Sequence, residues 1–190
     1  FEDGDTVTPN GMGGWFVFND GTGTQVPAAL EDLVVRGGPG RSRFAARSSG
    51  DGFTVFGAGY GVSFGCAIDV RRFAGVKFAA KARGARRFLF EVPTLDGVEA
   101  QFGGRCTENC NDFYQIELPT ENHRWHECSV AFADLPQVGF GTPVPLDLGV
   151  VSGVQVNITL TQLPYDVGLD DLRSARHAVT GCRPLRHRHH

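Results

Sequence analysis

Apolar and polar residues alternate with a period of two through five segments of the chain. That period marks half-buried β-strands, whose successive side chains point to opposite faces. In the segment 75–81, Val76, Phe78 and Ala80 share one face, with Lys77 and Lys81 on the other. In 87–92, Phe88, Phe90 and Val92 oppose Arg87 and Glu91, with Leu89 as an apolar exception on the polar side. In 114–118, Tyr114, Ile116 and Leu118 oppose Gln115 and Glu117. In 125–132, Cys128, Val130 and Phe132 face inward while Trp125, Glu127 and Ser129 face outward, and 154–160 carries Gln155, Asn157 and Thr159 on its polar face. Less regular stretches add a short aromatic strand over Trp15–Phe18, closed by Asn19-Asp20-Gly21, and a strand over Phe44–Arg47. Cys66–Asp69 reads as the loop before the 75–81 strand. No amphipathic helix of useful length competes. Sheets with one packed and one wet face belong to antiparallel sandwiches, so the expected fold is all-β, an antiparallel β-sandwich of roughly eight to ten strands arranged as a jelly roll.

Composition agrees with many short strands. The 26 Gly and 10 Pro are scattered between apolar runs, and the 15 Phe among 190 residues look first like core filling. One domain accounts for this length, with the sandwich over residues 1–173 and a basic, His-rich tail over 174–190 that ends in Arg186-His187-Arg188-His189-His190. A net charge of −3 with dispersed Arg gives no electrostatic footprint for nucleic acid. No apolar run approaches the ~20 residues of a membrane span, and no leader-like segment stands ahead of Phe1. Five cysteines without zinc-like spacing point to an oxidising compartment, hence a secreted or cell-surface protein, with one thiol left over or paired between molecules.

The order of features resembles secreted bacterial jelly rolls related to carbohydrate-binding module family eleven, within the wider galactose-binding-like domains. The residues that carry the likeness begin with Phe1-Glu2-Asp3-Gly4, Trp15–Phe18 and Asp20-Gly21. Cys66, Asp69, Phe73, Gly75, Val76, Phe78 and Lys81 follow, then Cys106, Cys110, Asp112 and Phe113, and Trp125. Phe132, Leu135, Gln137, Gly139-Phe140-Gly141 and Asp170-Asp171 complete the pattern, which departs from the family at Gly168, where an aromatic is common. The likeness implies a non-catalytic module that binds a polysaccharide or other glycan.

Candidate sites follow. Glu2, Asp3 and Asp5 at one end and Asp170 and Asp171 at the other could converge on a structural calcium ion, which takes six to eight hard oxygens. The resemblance points the same way. By alternation with Leu169, Asp171 is expected to face inward; a hydrogen-bonded or Arg-paired Asp171 is the alternative. Cys106 and Cys110, with three residues between them, could form a local disulfide if their Cα atoms lie within roughly 7 Å, with a pair of free thiols as the alternative; Cys66 and Cys182 are the expected second pair, and Cys128 is expected as a buried thiol. A sugar site would lie on the wet sheet face, which offers Lys77, Lys81, Arg87, Glu91, Gln115, Glu117, Gln155, Asn157 and Thr159, with Trp125 as the stacking ring. That face otherwise looks poor in aromatics. Glu91 and Glu117 could neighbour one another, but neither carries a mark of desolvation, and no Gly-x-Ser-x-Gly elbow or Walker loop occurs, which argues against an enzyme. The competing expectation is a structural cell-surface or matrix protein that self-assembles as a homo-oligomer or filament through its termini.

Overall fold

The computed structural model describes residue 6 and residues 12–28, 30–84, 87–119, 124–159 and 163–185. Twelve strands occur among them: β1 (Gly14–Asn19), β2 (Thr24–Val26), β3 (Val34–Arg36), β4 (Phe44–Asp51), β5 (Ala58–Ile68), β6 (Gly75–Arg83), β7 (Arg87–Val92), β8 (Tyr114–Leu118), β9 (His126–Ala131), β10 (Val151–Thr159), β11 (Tyr165–Ala175) and β12 (Gly181–Pro184). A five-stranded sheet runs β1-β5-β10-β7-β8. A seven-stranded sheet runs β12-β9-β6-β11-β4-β2, with β3 also on β4. Every pairing between these strands is antiparallel. The two sheets form an all-β sandwich.

The alternating faces meet between the sheets. Phe78 from β6 and Phe90 from β7 stack with ring centroids 4.5 Å apart, one ring contributed by each sheet. Both are buried, as are Phe88, Val130, Phe132, Val156, Ile158 and Val167. Polar groups that enter this interior are paired, as buried amides and hydroxyls must be. Gln25 of β2 donates through Nε2 to Ser48 Oγ at 3.2 Å and to the Gly59 carbonyl at 2.9 Å, which ties one sheet to the other. Ser48 Oγ also lies 3.1 Å from the Tyr165 hydroxyl.

Several expectations are corrected. Residues Cys66–Ile68 end β5 rather than open a loop, and the strands number more than the eight to ten expected. The boundary after Arg173 falls inside β11, and Gly181–Pro184 of the supposed tail pairs with β9. That pairing sets Cys182 directly opposite Cys128, with Cα atoms 4.1 Å apart, and the two form a disulfide. Cys66 keeps an exposed free thiol because it stands on β5, in the other sheet. Cys106 and Cys110 are bridged.

The register of β11 against β6 shifts between Asp170 and Arg173, and Asp171 takes a left-handed φ of 51°. Such a bulge inserts a residue and breaks the alternation. Asp171 is therefore exposed and bonded to Arg173, while Leu172 packs on the core and Asp170 is the buried carboxylate.

Candidate functional site: an aromatic cleft on the five-stranded sheet

The outer face of the five-stranded sheet forms the floor of a cleft of about 1060 Å³. Strand register explains the floor. β10 sets Gln155 opposite Glu91 and Asn157 opposite Leu89 on β7, and β7 in turn sets Glu91 opposite Gln115 and Leu89 opposite Glu117 on β8. Since one face of each strand fills the core, these side chains share the other. Gln155 Nε2 donates to Glu91 Oε2 at 2.5 Å, and Asn157 Nδ2 donates to Glu91 Oε1 at 3.5 Å. Glu91 is only 4% exposed. Burial raises its carboxyl from an ordinary 4.5 to about 7, against the lowering pull of the two amides, and the negative charge of Asp112 adds to the rise.

At the β1 edge the floor turns aromatic. Phe16 and Phe18 stand opposite Gly61 and Gly59 of β5. A Cβ at Gly59 would come within 2.4 Å of the Phe18 ring and one at Gly61 within 2.8 Å of the Phe16 ring, so the two glycines make room for rings lying across β5. Trp15 and Val17, of opposite phase, pack on the core.

Two loops raise the walls, and a carboxylate holds each. On one side Asp20 accepts from the backbone N–H groups of Val55 and Gly57, both at 2.9 Å, and from Thr22. Burial opposes ionisation there, but these hydrogen bonds outweigh it and hold the carboxyl at about 2. Val55 and the half-exposed Phe56 form this wall. On the other side the buried Asp112 accepts from the N–H groups of Val138 (3.1 Å), Gly139 (2.8 Å) and Gly141 (3.2 Å). The loop so held carries Val138 and Phe140, which are exposed and line the cleft. The disulfide loop buttresses it, since Thr142 N donates to the Asn109 carbonyl and Thr142 Oγ1 to the Glu108 carbonyl. Phe102, from the short 3-10 helix Ala100–Phe102, and Phe113 complete the apolar lining.

Of the expected ligand residues, Arg87, Glu91, Gln115, Gln155 and Asn157 come together in this cleft, and Glu117 flanks it through a 3.0 Å ion pair with Arg87. Thr159 lines it too. Lys77 and Lys81 stand on β6, in the other sheet, because alternation assigns a face but not a sheet. Trp125 is also elsewhere. It precedes β9 and lies over Gly168 of β11, where a Cβ would approach its ring to 2.9 Å. The missing aromatic at 168 thus leaves space for the indole. The expected scarcity of aromatics is corrected by Phe16, Phe18, Phe56, Phe102 and Phe140. The alternation within 15–18, facing the Gly-x-Gly of β5, was the signal for the first two.

Glu2, Asp3 and Asp5 lie outside the described residues. Among the described residues no group of three or more His, Cys, Asp or Glu side chains could hold a metal ion. Asp170 is 3% exposed beneath the Gly38 turn, and a Cβ at Gly38 would meet its Oδ2 at 2.7 Å. Asp171, turned to solvent, does not join it.

The architecture is that of a carbohydrate-binding-module-like β-sandwich. A family 11 carbohydrate-binding module from Clostridium thermocellum, solved in complex with a β-1,3-1,4-mixed-linked tetrasaccharide, superposes with a TM-score of 0.57 at 13% identity, over 86% of this chain and 88% of that one. The family 11 module of a cellulosomal cellulase from the same organism gives 0.55 at 14% identity, over 93% and 91%. A family 30 module of another such cellulase gives 0.54 at 12% identity, over 84% and 91%. At these identities the likeness is one of fold. No family model and no curated protein matches the sequence.

Proposed function

We propose that this chain is a non-catalytic, extracellular carbohydrate-binding module that seats a glycan chain in the cleft of the five-stranded sheet. The cleft itself carries the reading: phenylalanine walls stand over a floor of Glu91, Gln115, Gln155 and Asn157. Aromatic faces pack on the apolar faces of pyranose rings, while carboxylate and amide oxygens take the hydroxyls. The solved neighbours are carbohydrate-binding modules, one of them holding a mixed-linked tetrasaccharide. Two disulfides fit maturation in an oxidising compartment, and no helix among the described residues is long and apolar enough to cross a membrane.

A polysaccharide panel followed by calorimetry tests this. The mixed-linked tetrasaccharide or another oligosaccharide should bind, and Phe16→Ala should weaken it. Silence across the whole panel, with folded protein, would refute the proposal. Turnover of any panel member would refute its non-catalytic part.

A further inference from the structure

The polar atoms of the cleft floor that lack any partner are oxygens, whereas each side-chain amide nitrogen already has one. Gln155 Nε2 and Asn157 Nδ2 are directed at Glu91, and Gln115 Nε2 donates to the Phe113 carbonyl at 3.3 Å. Left over are oxygens. Gln115 Oε1 and Asn157 Oδ1 are buried acceptors with no hydrogen-bond partner among the described residues, and so is the Thr159 hydroxyl, which can accept or donate. Gln115 is itself only 6% exposed. Buried acceptors without donors are costly, so a ligand that supplies donors relieves them.

The charges lean the same way. Arg87 and Glu91 are the charged side chains lining the cleft, and Arg87 is already bonded to Glu117 across the β7–β8 pairing. Asp112, whose oxygens are taken up by backbone N–H groups, is the other charge acting on Glu91. β10 faces Glu91 with two neutral amides and β8 with one. Among the described residues Arg87 is the cation lining the cleft, and its charge is matched by Glu117 rather than by Glu91.

We propose that the cleft selects by polarity and charge: it takes a neutral glycan whose hydroxyl groups donate to Glu91, Gln115 and Asn157, and it refuses glycans that carry carboxylate or sulfate groups. This rests on the glycan reading above and narrows it. It also sets a direction with pH. Above the titration of Glu91 the ionised carboxylate accepts ligand hydroxyls in charge-assisted bonds, which are about twice as strong as neutral ones. Below it the carboxyl holds a proton and offers a weaker acceptor. Affinity for a neutral glycan therefore rises with pH.

The test titrates the wild-type chain and Glu91→Gln with two probes, the neutral β-1,3-1,4-mixed-linked tetrasaccharide and an oligogalacturonate of equal length, at about pH 5.5 and about pH 8.5. The wild type should bind the neutral probe about tenfold more tightly at the higher pH, the gap between a charged and a neutral hydrogen bond. It should bind the uronate at neither pH. Glu91→Gln, verified as folded by its urea transition, should bind the neutral probe weakly and without pH dependence. Uronate binding as tight as the neutral probe's, a pH-independent wild type, or a variant that keeps the wild-type slope would each overturn the inference while leaving a glycan module standing. Failure of every probe and of the wider panel would instead remove the glycan reading, and this inference with it.

Discussion

Replacing Glu91 with Gln should stabilise the fold at neutral and alkaline pH, and the effect should fade in acid. The folded chain binds the Glu91 proton more tightly than the unfolded chain does, because burial lifts the carboxyl from 4.5 to about 7. A group shifted upward contributes stability that is fully present below its unfolded value and is lost as pH rises through the folded one. Between 4.5 and 7 that loss comes to about 3 kcal/mol at 1.36 kcal/mol per pKa unit. A carboxamide at this position has no acidic proton to lose, so the variant escapes the decline. Urea unfolding with disulfides intact, at about pH 4.5 and about pH 8, measures it. With a slope of about 2 kcal/mol per molar, the gap between variant and wild-type midpoints should widen by about 1.5 M in favour of the variant. Carboxylates held low by their partners, such as Asp20 and Glu127, alter the wild-type curve in the opposite sense but act equally in both chains, so they cancel in the difference. A gap that stays constant, or narrows as pH rises, would show that Glu91 is not desolvated as its position between Gln155, Asn157 and Gln115 requires.

Three further outcomes can be checked. The Cys128–Cys182 bridge spans 54 residues and Cys106–Cys110 spans 4, so loop-closure entropy assigns them about 4 and about 2 kcal/mol; urea melts of the two double Cys→Ala variants should fall in that order, and the reverse order would contradict it. Phe140→Ala should weaken glycan binding about tenfold through lost apolar contact, whereas Trp125→Ala, on the other sheet, should leave affinity unchanged by calorimetry. A calcium ion braced by Asp170 with Glu2, Asp3 and Asp5 remains a proposal of ours: millimolar calcium should raise the melting temperature of the wild type but not of Asp170→Asn, and a wild type indifferent to calcium and EDTA alike would remove it.

Period-two alternation made the sandwich legible because burying one face of a strand constrains every second residue, and Phe78, Phe90 and Val130 obey it, whereas Phe132 is buried from the 3-10 turn that follows β9. It could not say which sheet a strand joins, so Lys77 and Arg87 looked like neighbours though they stand on β6 and β7 of different sheets. It failed at Asp171, where a bulge adds one residue to β11 and no side chain announces it. The disulfide partner of Cys182 was hidden for a related reason. An inward phase at Cys128 suggested a buried thiol, and only the pairing of β12 with β9 brings a second sulfur to it.

The cleft was half legible, and the half that was missed has a physical cause. Its polar floor is periodic, so Glu91, Gln115, Gln155 and Asn157 could be placed on one face from their phase alone. Its walls come from loops, where phase has no meaning. The residues that carried the family likeness there, Asp20, Asp112, Gln137, Gly139 and Gly141, belong to the hydrogen-bond system holding those loops: Asp20 and Asp112 accept backbone N–H groups, and Gln137 binds the Asp112 carbonyl and Val144 N. They define where a ligand can sit rather than which ligand sits there. Two chains can therefore share this pattern and differ in what they bind, because the discriminating groups are the rings set on the latched loops and the acceptors on the sheet. Among the described residues the six cleft rings at 16, 18, 56, 102, 113 and 140 are phenylalanines without a polar edge. Hydrogen-bond discrimination consequently falls to the floor, and above all to the one buried carboxyl at its centre.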